Sequence, residues 1–243
     1  MHRFFVSRSA ISDGKVTIAG DDVKHIARVL RLGAGDTISI CDGERTDYIC
    51  TIADVQKDCV VADIKEQMPN KNESELCVTL YQGLPKGDKM DYIIQKCVEL
   101  GVSRIVPVVM KRSVAKAGAS SSKTARWQRI ASEAAKQCVR GIIPVVEEPM
   151  DFSTMKKEIA QSELCIIPYE NEHDGKLKEV LKKSVDAKNI SIIIGPEGGF
   201  DEQEVISAIE SGAHAVTLGP RILRCETAPV ATVSAVMYEL GDW

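Results

Sequence analysis

The sequence predicts an α/β protein in two parts, a small β barrel at the amino end and a larger region built on a mostly parallel sheet. Three observations predict it. Up to about residue 70, short β-rich runs follow one another between turn signals, the pattern of a small barrel. From residue 76, apolar runs alternate with stretches of helical periodicity, the pattern of parallel strands covered on both faces. Between these regions, residues 68–75 (MPNKNESE) are polar, contain a proline and lack periodicity. The boundary therefore falls there, giving domains of 1–72 and 73–243.

In chain order, HRFFV and KVTIAG read as brief strands, and Asp21 and Asp22 can cap a short helix running through Leu30. DTISICDG, TDYICTIADV and CVVADIKEQM are further strands, punctuated by Gly33, Gly35 and Asp42-Gly43. In the second region LCVTLYQ is a strand, and residues 88–100 carry apolar side chains at helical spacing (Met90, Ile93, Ile94, Cys97, Val98). RIVPVVM is a strand, 123–139 a long helix, and IPVVEE a strand, followed by a helix from Ser153. Then come the strand ELCIIPY, a helix over 175–184 and the β-branched run 190–194. Asp201 with Glu204 three residues on resembles a capping box that opens a helix to Ser211. A strand about Val216 and a last helix over 227–240 complete the chain.

With 44% hydrophobic and 27% charged residues, the 243-residue chain has an ordinary globular composition and enough length for a sizeable core. No apolar run approaches membrane-spanning length, and MHRFFVSRSA lacks a signal-peptide apolar region, so a cytoplasmic location is expected. The eight cysteines never form a CxxC pair, and several, such as Cys77, Cys97 and Cys165, sit in apolar contexts. Reduced, buried thiols are expected rather than disulfides or zinc. The four histidines (His2, His25, His173, His214) are scattered, so no metal is expected.

Two loops organise the chemistry. The run 190–194 breaks into Gly195-Pro196-Glu197-Gly198-Gly199-Phe200, and the run 215–218 stops at Gly219-Pro220. Two buried strands thus deliver two glycine-containing loops to one sheet edge, and carboxyl edges of α/β sheets bind ligands. Neither loop is GxGxxG, and residues 83–89 (GLPKGDK) miss the P-loop spacing, which disfavours a nicotinamide or nucleoside triphosphate site. A nucleoside-like ligand without a phosphate cradle fits better. The stretch 218–228 (LGPRILRCETA) places two arginines and a glutamate beside Ile222 and Leu223. An apolar pair there is expected to lie against protein or ligand. The plain alternative is that Glu226-Thr227 starts the last helix, with Thr227 as its cap and Arg224 paired to a carboxylate.

Charge is uneven. Lys111, Arg112, Lys116, Lys123, Arg126, Arg129, Lys136 and Arg140 face one acid, Glu133, within 111–140, although the net charge is −4. The amino-terminal part adds Arg3, Arg8, Lys24, His25, Arg28 and Arg31 beside Phe4 and Phe5. Such patches suit a structured nucleic acid held through phosphates. Strand alternation is expected to bury at least one of the two phenylalanines, and His25 is expected as a cap or surface residue.

Together, RFF, HIARVLR (25–31), KGDKMDYIIQKCVELG (86–101), RWQRIASEAAKQCVRGIIP (126–144), IGPEGGF (194–200) and LGPRILRCETA resemble the RsmE-type family of the SPOUT class of RNA methyltransferases. The resemblance covers nearly the whole chain. It implies a PUA-like β barrel for RNA and a SPOUT α/β domain whose end forms a deep trefoil knot. It also implies S-adenosyl-L-methionine as cofactor, a homodimer, and methylation of N3 of a uridine in 16S ribosomal RNA or the small ribosomal subunit. The cofactor loops that it implies are Ile167, Pro168, Tyr169 and Glu170; then Ile194, Gly195, Pro196, Glu197, Gly198 and Gly199; then Leu218, Gly219, Ile222, Leu223, Arg224, Thr227 and Ala228. Uracil N3 is nucleophilic only as its proton leaves, so Glu226 is the candidate acceptor, with Arg224 or Arg221 opposing charge on the ring oxygens. The candidate RNA contacts are Arg3, Arg8, His25, Arg28, Arg31, Lys86, Arg112, Arg126 and Arg140. A ribose 2′-O-methyltransferase of the same fold and a non-catalytic ribosome-assembly protein are the alternatives.

Overall fold

A computed structural model describes residues 1–114 and 121–243. The chain divides into two compact units, Met1–Glu73 with Ala135–Ile143, and Ser74–Ala134 with Pro144–Trp243.

In the first unit, alternation sets the sheet. β1 (Arg3–Phe5), β2 (Ile11–Ser12), β3 (Lys15–Ala19), β4 (Thr37–Cys41), β5 (Thr46–Val55) and β6 (Cys59–Pro69) pair in the order β1-β4-β5-β6-β3-β2. The sheet curls into a half-barrel. Only β1 and β4 run parallel. Val16 and Ile18 of β3 and Cys50 and Ile52 of β5 point inward, because every second side chain of a strand faces the same way. Register breaks between Ile49 and Cys50 and between Ile52 and Asp54 sharpen the bend of the long β5–β6 ladder. Phe4 is core, as alternation required, while Phe5 is half-buried under the Arg3 guanidinium.

The helix expected through Leu30 is α-helical only over α1 (Asp21–Lys24) and continues as a π-helical turn, His25–Leu30. Asp21 and Asp22 are not caps. The cap position is Gly20, and the two acids lie in the first turn, where they favour the positive helix end. Residues 135–143 are tied to this unit by ion pairs: Lys136 to Asp22 at 3.0 Å and Arg140 to Glu73 at 2.8 Å. One Glu73 oxygen also accepts from the backbone N–H groups of Gly141 and Ile142.

In the second unit every strand pair is parallel. β7 (Cys77–Gly83), α2 (Lys89–Glu99), β8 (Arg104–Val109), α3 (Ser121–Gln137, ending in the first unit), β9 (Val145–Val146), β10 (Met150–Asp151) and α4 (Phe152–Ile159) come first. β11 (Leu164–Pro168), α5 (Leu177–Lys183), β12 (Asn189–Ile194), α6 (Glu202–Glu210), β13 (Ala213–Val216) and α7 (Thr227–Leu240) follow. The order is β10-β8-β7-β12-β11-β13, with β9 on β8. The strand expected over IPVVEE is reduced to two residues.

Helices cover both sheet faces, which is why β11 is buried over 164–167 and β12 over 190–194, apolar but for Ser191. On one side Tyr81, Val106, Cys165 and Ile193 pack with Met155 of α4 and Val205 of α6; on the other, α7 lies against β12 and α2. The capping box forms: Asp201 accepts from the Gln203 N–H at 3.2 Å, and Glu204 accepts from the Asp201 N–H at 3.1 Å. All eight cysteines are free. Cys97 and Cys165 are buried as expected, but Cys77, the first residue of β7, is exposed.

Candidate functional site

The carboxyl ends of β11 and β12, the stretch after β13 and the first residue of α2 enclose a cavity of about 430 Å³. That lies within the usual size of small-molecule sites, about 300–1,000 Å³. Strand order explains its place. β7 leads on to β8 on one side and β12 leads on to β13 on the other, so the connections leave the β7–β12 junction in opposite directions, and this is the switch point at which an α/β sheet opens a crevice.

The glycine loop leaves β12 pressed against the end of β7. A Cβ on Gly83 would meet the Pro196 nitrogen at 2.6 Å, so the two strand ends touch only because residue 83 has no side chain. The Gln82 amide nitrogen donates to the Gly83 carbonyl at 3.1 Å and the Gly195 carbonyl at 3.5 Å, clamping both loops. Gly199 adopts φ +66°, and a Cβ there would lie 2.5 Å from a Glu170 carboxylate oxygen. Arg112 donates to the carbonyl of the exposed Gly198 at 3.2 Å, and a Cβ on residue 198 would lie 3.1 Å from the Arg112 Cβ.

Of the expected cofactor residues, the larger cavity is lined by Pro168, Glu170, Ile194 and the loop 195–199. From the later stretch it receives Ile222, Leu223, Arg224 and Ala228. An adjoining cavity of about 180 Å³ takes Tyr169, Leu218, Gly219 and Arg221, and shares Pro168, Glu170, Ile222, Leu223 and Ala228. Two fall outside. Ile167 is buried within β11, and Thr227 is exposed. Ile222 does not pack against protein; it is 86% exposed at the cavity rim. Not among the named site residues are Phe200, Cys225 and Lys89 in the larger of the two cavities and Glu172, His173, Thr217 and Pro220 in the adjoining one. Lys89 stood within the quoted stretch 86–101, and its signal was a cation at the amino end of a helix.

Glu226 does not pair with Arg224, and Thr227 does not cap α7. The cap position is Glu226, whose carboxylate lies 3.3 Å from the Lys89 ammonium. The same ammonium is 3.1 Å from Glu197, which also accepts from the Lys86 N–H at 2.9 Å. Burial pushes Glu226 up, but the Cys225 thiol, its own backbone N–H and Lys89 outweigh it, leaving the carboxyl below its usual range. Glu197 is likewise lowered: burial opposes, and the Lys86 N–H and Lys89 prevail. The Cys225 thiol is pushed up to about 12 by burial and by the Glu226 carboxylate. It is therefore a protonated donor at neutral pH and not a nucleophile.

Among the expected RNA contacts, Arg8, His25, Arg28 and Arg31 are exposed in the first unit, and Lys86, Arg112 and Arg126 in the second. Arg126 is held by Asp91 and Asp88. Two contacts are corrected. Arg140 is 5% exposed and paired with Glu73, and the Arg3 guanidinium is enclosed with Asp47 at 2.7 Å. A buried paired guanidinium is a structural tie and has no face for phosphate. Lys116 lies outside the described residues. Among the described residues no three His, Cys, Asp or Glu side chains gather as a metal site needs, and no helix is long and apolar enough to cross a membrane.

A family model described as an RNA methyltransferase domain matches residues 72–237, and another, an RNA methyltransferase PUA domain, matches 18–65. The chain belongs to this RNA methyltransferase family. Among its relatives, ribosomal RNA small subunit methyltransferase E of Bacillus subtilis (strain 168) is 34% identical over 98% of this chain and 97% of its own. A protein of that name from Neisseria gonorrhoeae, solved bound to S-adenosyl methionine, matches at TM-score 0.88 and 33% identity, covering 100% of this chain and 99% of its own. A Legionella pneumophila protein, solved in complex with the bound cofactor SAM, matches at TM-score 0.89 and 28% identity over 99% and 98%. Family membership accounts for a glycine-loop cavity that carries neither a nicotinamide nor a phosphate signature.

Proposed function

We propose that this protein transfers a methyl group from S-adenosyl-L-methionine to N3 of a uridine in 16S ribosomal RNA, within the small-subunit particle or as free RNA. The observation that carries the reading is the cavity at the ends of β11 and β12, in a family whose relatives were solved with this cofactor bound.

The residues fit the cofactor. Gly198 and Gly199 expose backbone at positions where a Cβ would crowd Arg112 at 3.1 Å or press on the Glu170 carboxylate at 2.5 Å. Pro168, Ile194, Leu223 and Ala228 offer apolar surface for an adenine ring. The Glu170 carboxylate at the rim would oppose the ligand's positive charge. When bound, S-adenosyl-L-methionine supplies an electrophilic methyl group. The chain's own part is alignment and proton handling. Glu226, anionic at neutral pH, would accept the N3 proton directly or through one water, so that the nitrogen lone pair becomes available as the N–H bond breaks. Arg224 and Arg221, both exposed at the two cavities, would oppose charge gathering on O2 and O4. The exposed Arg8, His25, Arg28 and Arg31 would hold RNA phosphates.

Two further properties belong to the same reading. The first is the trefoil knot that the family resemblance implies at the end of the chain. A homodimer is supported by an apolar groove of about 640 Å³ between α5 and α7, lined by Leu177, Leu181, Ala231 and Ala235 beside the exposed Tyr238.

The test is incubation of the protein and cofactor with small-subunit particles, followed by mass spectrometry of the digested RNA. 3-Methyluridine is the expected product. A methyl on ribose would move the target to a 2′ oxygen. No transfer, together with no cofactor binding by calorimetry, would leave an RNA-binding scaffold.

A further inference from the structure

Lys89 is the first residue of α2, where a cation opposes the positive end of the helix dipole. Local rules broken in this way mark sites where something else is gained. Here the gain is visible. The ammonium meets Glu197 of the glycine loop at 3.1 Å and Glu226 at the start of α7 at 3.3 Å, with the Cys225 sulfur at 3.8 Å. The two carboxylates come from loops that share no secondary structure, and one side chain from a third element joins them. The Lys86 N–H, also at the entry to α2, holds the other end of this link by donating to Glu197.

We propose that Lys89 is a positioning residue for methyl transfer: it ties the cofactor loop to the start of the last helix and fixes the Glu226 carboxylate behind the cavity wall that Lys89, Arg224 and Cys225 form. Without the ammonium, Glu197 and Glu226 would face each other as like charges in a partly desolvated site, and each would gain from turning outward or taking up a proton. The groups facing Glu226 are Lys89 from α2, Cys225 beside it and, through the shared ammonium, Glu197. Only Lys89 is cationic among these, so its removal lets the Glu226 carboxyl rise and, with no ammonium to hold it, loosens its aim, and the loss of aim is what lowers turnover. Lys89 also lines the cavity, so the cofactor loop should reorganise with it.

The catalytic half of this inference rests on the methyl-transfer reading; the ion-pair half does not. The experiment compares Lys89→Met, Lys89→Gln and Lys89→Arg with the unsubstituted protein by two readouts. The first is the ¹³C titration of the Glu226 side-chain carboxyl, assigned with Glu226→Gln. The second is the pH profile of kcat and KM for methyl transfer. In the Met and Gln variants the carboxyl should titrate at higher pH and the acid limb of kcat should move with it. At neutral pH kcat should fall at least tenfold, with a smaller change in KM for the cofactor. Arg, which keeps the charge, should restore both readouts most of the way. Should the Met variant fail to fold, Gln and Arg carry the comparison. An active unsubstituted protein whose Met and Gln variants keep its Glu226 titration and kcat overturns the inference and leaves the function standing. An unsubstituted protein that transfers no methyl overturns the function instead.

Discussion

Gly199 and Glu226 show how single residues set this site. Gly199 holds φ +66° with its Cα against the Glu170 carboxylate. Gly199→Val is therefore strained by its backbone and displaces a charged neighbour, and calorimetry should register the loss as weaker cofactor binding in a protein whose circular dichroism is unchanged. Glu226→Gln keeps the shape and removes the proton acceptor, so cofactor binding should persist while turnover is lost; full activity would end the acceptor assignment. The acid behaviour follows from direction. Glu197 and Glu226 both lie below the usual carboxylate range, so the stability of their link to Lys89 is complete above that range and is lost as pH falls through the lowered values. Lys89 is raised, first by its hydrogen bond to Glu197, so its share survives to strongly alkaline pH. Chemical denaturation across the acid range should show this loss, and Lys89→Met should flatten it.

At the scale of elements, the segment after α3 is held by a buried ion pair. Arg140 and Glu73 are almost fully enclosed, and Glu73 also accepts from Gly141 and Ile142. Glu73→Ala would take the carboxylate partner from a buried guanidinium, and breaking a buried pair costs about 3–5 kcal/mol where it has been measured in other proteins. Denaturant midpoints check this. The pair also shows why the charge reading of 111–140 overreached, since Arg140 and Glu73 stand 67 positions apart and no local pattern joins them. The capping box at Asp201 was legible for the opposite reason: its partners are three residues apart, and local spacing alone aligns them. The π-helical turn at His25–Leu30 was not legible, because its apolar spacing also suits an α-helix.

For the whole molecule, partners are read from exposed surface. RNA affinity should fall linearly in log–log form as salt rises, and Arg28→Ala with Arg31→Ala should reduce that slope by roughly one per lost phosphate contact. In the groove between α5 and α7, Tyr238→Asp, at an exposed position, should shift sedimentation from dimer to monomer if this face joins two copies. The sequence by itself determined the strand–helix alternation, the two glycine loops and the family, because periodicity, turn residues and motif spacing are properties of neighbours along the chain. The tertiary structure alone decided that Lys89 joins Glu197 and Glu226, that Arg3 and Arg140 are ties within the first unit, and that Cys77 faces solvent. Such facts depend on which distant residues the folded sheet brings within a few ångströms, and Coulomb and desolvation energies act at that range whatever the separation in sequence.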